Sequence, residues 1–306
     1  MEDGSAAAKP ETASLLRACI QVVRPHQWVK NIFILAPLFF SHQLLNWESL
    51  QASAQAFLFF SLLSSAVYIL NDITDRKSDR LAPNKSKRPL ANGTLSLTLA
   101  LCLLTACLAA AALIGSLSDF AKDCLIWGGL YGLINIAYNA GMKQIPILEK
   151  FLVSSGYVIR ILLGSAAIGQ TPSFWILFTT ASVSFLLVAG KRRDDLAMIE
   201  REGLPLSMRP VLAHYSRAFL DQVIMIAASV TIMTYLLFCM SDYAIHRYGE
   251  SFAFSAVFVV FGVLRYVQIT QLGRGADAPT TLVMQDGILR ISILLWSGYV
   301  AYIAYG

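Results

Sequence analysis

Charge is what this chain has least of. Of its 306 residues, 14% are Asp, Glu, Lys or Arg, where a soluble domain carries roughly a quarter. That is too little to cover a globular surface, which excludes a soluble nucleotide-binding or barrel enzyme and a nucleic-acid-binding module. Cysteine is sparse as well. Cys19, Cys102, Cys107, Cys124 and Cys239 form no CxxC pair, so neither a disulfide frame nor a thiolate metal site is encoded. Short segments of strict apolar–polar alternation are missing, which excludes a transmembrane barrel. The first fifteen residues lack the basic start and apolar run of a cleaved signal peptide. Residues 1–17 read as a short cytoplasmic tail ahead of a single transmembrane catalytic domain over 18–306.

What the chain has is apolar residues, 56% of the total, gathered in blocks of span length. Nine segments read as membrane-crossing: 30–46, 51–71, 94–115, 120–139, 147–169, 173–191, 215–239, 251–270 and 287–305. Each approaches the roughly 20 residues that cross a core of about 30 Å. The expected fold class is therefore all-α, a polytopic integral membrane protein of about nine helices. The first segment is the weakest, since it contains Pro37, ends in Ser41, His42 and Gln43, and kinks or starts earlier, near Ala18. Basic residues set the orientation. The 2–3 loop holds Arg76, Lys77, Arg80, Lys85, Lys87 and Arg88, the 6–7 loop holds Arg192, Arg193, Arg201 and Arg209, and the 8–9 loop carries Arg274. The opposite loops offer only Lys122 and Arg247. The N-terminus and these loops are thus cytoplasmic, the C-terminus is outside, and the net charge of +5 is in part a topology signal.

The second apolar segment runs into Asn71-Asp72-Ile73-Thr74-Asp75-Arg76-Lys77-Ser78-Asp79. Asp72, Asp75 and Asp79 are spaced three and four apart and share one helical face. Three carboxylates on one face repel unless a cation lies between them, and a hard ion such as Mg²⁺ takes carboxylate oxygens while also binding substrate phosphates. The plainer alternative is a solvated helix end on which Arg76 and Arg80 pair with the acids. Tyr68 lies three residues before Asn71, one helical turn away. Lys87 and Arg88 suit phosphate oxygens, Arg bidentately, and also serve inside retention.

The run Asn71-Asp72-x-x-Asp75-x-x-x-Asp79 followed by Lys87-Arg88-Pro89 resembles the UbiA superfamily of intramembrane prenyltransferases across essentially the whole chain. The resemblance implies nine transmembrane helices around a central cavity, with Mg²⁺ and an isoprenoid diphosphate on the first acidic motif. The family's second motif, of the type DxxxDxxxD, is replaced here by Gly190-Lys191-Arg192-Arg193-Asp194-Asp195. Two adjacent acids point about 100° apart on a helix and do not repeat the first motif.

That departure, together with Arg24-Pro25-His26-Gln27-Trp28-Val29-Lys30-Asn31 and Ser154-Ser155-Gly156-Tyr157-Val158-Ile159-Arg160, is similar to the decaprenyl-phosphate phosphoribosyltransferase branch. The branch implies a sugar diphosphate, phosphoribosyl pyrophosphate (PRPP), as donor and a polyprenyl phosphate as acceptor. Lys191, Arg192 and Arg193 then offer a phosphate-binding cluster, with Asp194 or preferably Asp195 orienting it, holding ribose hydroxyls or touching the metal. The alternative is a basic cytoplasmic cap. The branch also places Arg24, Gln27, Lys30 and Asn31 at the polar mouth of the cavity. Tyr138, Asn139 and Lys143 form a similar rim. Arg160 lies deep in the fifth segment, where lipid exposure is costly. It meets a lipid or sugar phosphate, or a structural acid.

The expected site is thus Asp72, Asp75 and Asp79 as metal ligands, with Lys30, Tyr68, Asn71, Lys87, Arg88, Tyr138, Lys143, Arg160, Lys191, Arg192 and Asp195 around the substrates. The expected setting is the inner (plasma) membrane with the site facing the cytoplasm, and a homo-oligomer stays open. Two rivals remain: prenyl transfer to an aromatic or other small acceptor, and a transporter whose acids bind a cation.

Overall fold

The computed structural model describes residues 12–80, 85–203, 205, 210–272, 282 and 285–305. Residues 1–11 of the expected tail, and the loop arginines Arg209 and Arg274, lie outside the described residues. All regular elements among the described residues are helical. In chain order they begin with α1 (Thr12–Val23), a 3-10 segment (Pro25–Leu35), α2 (Ala36–Phe40), α3 (Trp47–Thr74), α4 (Arg76–Asp79) and α5 (Pro89–Asn92). Next come α6 (Leu97–Ser116), α7 (Ala121–Asn139), a 3-10 turn (Met142–Gln144), α8 (Leu148–Ala167) and α9 (Phe174–Glu202). The chain ends with a 3-10 turn (Pro210–His214), α10 (Arg217–Cys239), α11 (Asp242–Tyr248), a 3-10 turn (Glu250–Phe254), α12 (Ser255–Gln271) and α13 (Gly287–Tyr305).

Seven of these are long and apolar enough to cross a membrane: α3, α6, α8, α9, α10, α12 with the turn before it, and α13. The protein is a multi-pass membrane protein. Two of the nine expected spans fall outside that set. The fourth is a helix, α7, but Lys122, Asp123, Asn135 and Asn139 make its 19 residues less apolar than the others. The first is not one helix at all. α1 ends at Val23 because Arg24 precedes Pro25, where the α conformation is disfavoured, and Arg24 takes a left-handed φ of 56°. The chain continues as the tighter 3-10 coil, then as the five residues of α2 with Pro37 in its first turn. In this stretch the fully buried Asn31 donates to Ser61 Oγ at 2.8 Å.

Local chemistry sets the helix starts. Ser96, Ser173, Ser216 and Ser241 each accept the N–H three residues on, at α6, α9, α10 and α11, satisfying donors that a helix end leaves orphaned. α9 stops at Gly203 in the left-handed region, the common glycine cap.

The described chain forms two compact units. The first comprises residues 1–32 and 54–132, and the second 33–53 and 133–306. In the first, Ala18 and Val22 of α1 pack with Ala66, Ile69, Leu90, Leu95, Ala100 and Cys107, so the amphipathic α1 buries its small-residue face and leaves Leu16 and Ile20 exposed. In the second, Leu186, Ala189, Ile224, Ala227, Ala228, Tyr266 and Val267 join α9, α10 and α12. Gly164 is required there, since a Cβ would stand 2.0 Å from the carbonyl oxygen of Ile34. α8 thus lies directly on the backbone of the 3-10 segment.

Candidate active site

The acidic motif lies in the first unit, where α3 gives way to α4. Asp75 interrupts the helix, yet its N–H bonds Asn71 O at 2.9 Å and the Asp79 N–H bonds Asp75 O at 2.8 Å. These bonds preserve the helical phase, so Asp72 and Asp79 converge. Both are buried, at 3% and 1% exposure, and Asp75 is half-buried. Two buried carboxylates are tolerable only with cations against them. Arg88 Nη1 supplies this for both, at 3.0 Å from Asp72 Oδ1 and 2.7 Å from Asp79 Oδ2. Arg24 Nη2 meets the same Asp72 oxygen at 2.6 Å, and Lys85 Nζ stands 3.6 Å from Asp79 Oδ1. That last oxygen is buried and has no hydrogen-bond partner among the described residues.

Arg76 and Arg80 do not pair with these acids. Their Nε atoms donate to the carbonyls of Leu90 and Ala91 at 3.1 and 3.0 Å, fastening α5 beneath the motif. Arg88 is the residue before Pro89 at the start of α5 and is extended, φ −63° and ψ 141°. The fastening therefore sets where its side chain begins. Arg24 lies 5.4 Å over the Tyr68 ring, and Trp28 Nε1 donates to Ser65 Oγ at 3.0 Å. Lys30, Tyr68 and Asn71 are half-buried and Lys87 is exposed. His26 is held below its ordinary 6.5, first by burial and then by the charges of Arg24 and Lys30.

The basic motif lies in the second unit, in the last turns of α9. Arg192 is buried and forks onto Glu149 of α8. Its Nε is 3.0 and 2.9 Å from the two carboxylate oxygens, and Nη2 is 2.7 Å from Oε2. Its Nη1 donates to Asp195 at 3.1 Å, so Asp195 orients the arginine. Arg193 has a different task from the phosphate contact expected of it. It donates to Asp221 at 3.0 Å and to the carbonyls of Thr270 and Gln271 at 2.7 and 3.0 Å, closing the C-terminal end of α12, where orphan carbonyls favour a cation. Asp194 keeps one carboxylate oxygen buried and without a hydrogen-bond partner among the described residues. Gly190 admits the Tyr266 hydroxyl, which would lie 2.1 Å from a Cβ there.

Glu149, Lys150 and Tyr215 were not anticipated. Lys150 is 1% exposed, 3.4 Å from Glu149 Oε1 and 3.5 Å over the centre of the Tyr215 ring, a cation–π contact. The Tyr215 hydroxyl accepts the Ile147 N–H at 2.6 Å and holds Ile147 at a φ of +67°, a conformation that a β-branched residue enters only under constraint. The one signal in the sequence was an acid–base pair at the start of an apolar span. Tyr138, Lys143, Lys191 and Asp195 are half-buried in this unit. Arg160 is buried in α8, where its Nη1 donates to Gly156 O at 2.7 Å beside the Tyr157 ring.

The UbiA prenyltransferase family matches residues 32–285. The chain belongs to this family. Among curated relatives of this UbiA chain, "Decaprenyl-phosphate phosphoribosyltransferase" of Corynebacterium glutamicum is 32% identical over 97% of this chain and 89% of its own. The protein of the same name in Mycobacterium tuberculosis is 32% identical over 96% of this chain and 97% of its own. A solved UbiA homolog from Archaeoglobus fulgidus, bound to GPP and Mg²⁺, superposes with a TM-score of 0.66 over 94% of this chain and 100% of its own, at 16% identity. That likeness is one of fold.

The UbiA fold raises the question of a metal. Among the described residues, no group of three or more His, Cys, Asp or Glu side chains is placed to hold one ion. Asp72 and Asp79 do meet at a single cationic nitrogen. Their donors are all carboxylate oxygens, and Mg²⁺ needs only one or two carboxylates beside water and phosphate. The residues present fit that ion.

Proposed function

We propose that this UbiA-family chain transfers the 5-phosphoribosyl group of PRPP to a polyprenyl phosphate. The products are pyrophosphate and a polyprenyl-phosphoryl-5-phosphoribose. The observation that carries this reading is the near full-length likeness to relatives bearing the phosphoribosyltransferase name. The replacement of a second acidic motif by a basic one supports it.

On this reading Asp72 and Asp79 would hold Mg²⁺, with Asp75 beside them at the break between α3 and α4, and the bound ion would neutralise charge on the departing diphosphate. Arg24, Arg88, Lys85 and Lys87 supply guanidinium and ammonium donors to the same diphosphate, and Lys30, Tyr68 and Asn71 flank it. Lys191, Lys143, Tyr138 and Arg160, which lie in the second unit, are phosphate-binding residues on the same reading. Arg192 directs three of its five N–H groups at Glu149 and Asp195 and has two left for a phosphate oxygen. The acceptor phosphate is already an anion, so its oxygen attacks C1 without a general base. The bond from C1 to the diphosphate oxygen breaks, and that oxygen keeps the electron pair. Positioning and electrostatics carry the catalysis.

The catalytic domain spans residues 18–306, nine passes include α7 and the broken first segment at 30–46, and the site faces the cytoplasm from the inner membrane. To test the reading, purified protein with Mg²⁺ receives PRPP and a polyprenyl phosphate in one arm, and a prenyl diphosphate with aromatic acceptors in the other. A ribose-bearing lipid in the first arm alone is expected. A prenylated aromatic in the second arm alone overturns the reading.

A further inference from the structure

We propose that Arg88, assisted by Arg24, holds the place of the divalent cation between Asp72 and Asp79, and yields it only when a diphosphate arrives to take up the guanidinium. This rests on the metal–diphosphate reading above and adds a condition to it: the acidic pair does not accept the metal on its own.

The argument starts from the sharing of one nitrogen. Arg88 Nη1 touches a carboxylate oxygen of each aspartate, at 3.0 and 2.7 Å. One guanidinium nitrogen therefore neutralises both acids at once. The carboxylates are almost completely buried, so removing their cation without replacement leaves uncompensated charge in a dry site, which is strongly unfavourable. Arg24 stands on the same Asp72 oxygen and Lys85 near Asp79, giving three cations against two buried carboxylates. A divalent ion arriving alone must break the charge-assisted bonds of Arg88 and then share the site with those cations, which repel it.

A diphosphate changes the balance. Its oxygens offer Arg88 and Arg24 bidentate acceptors matched to a guanidinium fork, so the arginines move from carboxylate to phosphate without losing a partner. Asp72 and Asp79, released from Arg88, would then be the residues that hold the metal. Arg76 and Arg80 are held differently, each by its Nε–H on an α5 carbonyl. Arg88 is half-buried, and α5, from which it extends, is fastened by Arg76 and Arg80. Arg88 thus serves the acids first and the substrate diphosphate afterwards, and its exchange couples metal entry to substrate entry.

The test uses purified full-length protein in detergent, with Mn²⁺ followed by electron paramagnetic resonance and inorganic pyrophosphate as the diphosphate probe. The wild type should bind Mn²⁺ weakly alone and about tenfold or more tightly with pyrophosphate. Arg88→Gln should bind Mn²⁺ alone about tenfold more tightly than the wild type, the worth of the charge-assisted bonds no longer displaced, and should lose most of the gain from pyrophosphate. Arg88→Lys, which keeps the charge, should restore weak binding of the metal alone. Arg24→Gln should shift the same way as Arg88→Gln and serves if that variant does not fold. Mn²⁺ binding by Arg88→Gln no tighter than by the wild type overturns the proposal and leaves the metal–diphosphate reading standing, whereas wild-type binding indifferent to pyrophosphate overturns both. A wild type that binds no Mn²⁺ even with pyrophosphate sinks that reading and this one with it.

Discussion

At the scale of single residues, the balance of charge around Asp72 decides most. Its carboxylate is buried and receives two guanidiniums. Asp72→Asn keeps the shape and removes the charge. Turnover is expected to fall by about 100-fold or more, as when an electrostatic group at a developing charge is lost, while the protein still purifies as a folded monodisperse species. Wild-type turnover in that folded variant rejects the assignment. His26 offers a second check, on the neighbouring field. Its folded value lies below 6.5 because of burial and then of Arg24 and Lys30. As pH falls beneath about 6.5, the unfolded chain takes up a proton that the folded chain does not, and stability declines. His26→Gln should lose thermal stability less steeply than the wild type between about pH 7 and pH 5. Superimposable profiles would contradict a lowered His26 value in the folded chain.

At the scale of elements, the starts of α8 and the end of α9 stand on one buried ion pair. Glu149→Gln leaves the Arg192 guanidinium facing a neutral amide, and breaking a buried pair in this way costs about 3–5 kcal/mol. Thermal denaturation should show that loss clearly, whereas Glu202→Gln, at an exposed pair of 3.8 Å, should change stability by less than about 0.5 kcal/mol. Equal effects of the two substitutions would remove Glu149 from its structural place. This pair also shows why the site was only partly legible. The Asp spacing and the basic run were visible because each is local. Glu149 and Arg192 are 43 positions apart, and no periodicity links an acid in one apolar run to an arginine at the end of another. Arg24 was visible as part of a string, but its ion pair with Asp72 depends on the break at Pro25. The first expected span misled for a related reason. Averaged over 30–46 it is apolar, yet Asn31 and Pro37 ask for a partner and a turn that a continuous helix does not provide.

At the scale of the whole molecule, scarcity of charge and long apolar blocks were enough to place the chain in the membrane, and seven helices bear that out. Composition carried this because a bilayer imposes one simple demand on every span. α7 fell short in hydropathy through a few polar residues. The chemistry was legible only where residue types repeat at helical spacing or depart from a family pattern. The central claim is that ribose, and not a prenyl group, changes hands. The most direct measurement uses PRPP labelled separately in the ribose and in the terminal phosphorus of the diphosphate, incubated with the protein, Mg²⁺ and a polyprenyl phosphate. The account predicts ribose label in the lipid phase and phosphorus label in aqueous pyrophosphate, in equal amounts. Diphosphate label in the lipid, or a folded protein that leaves all ribose label in water, would contradict it.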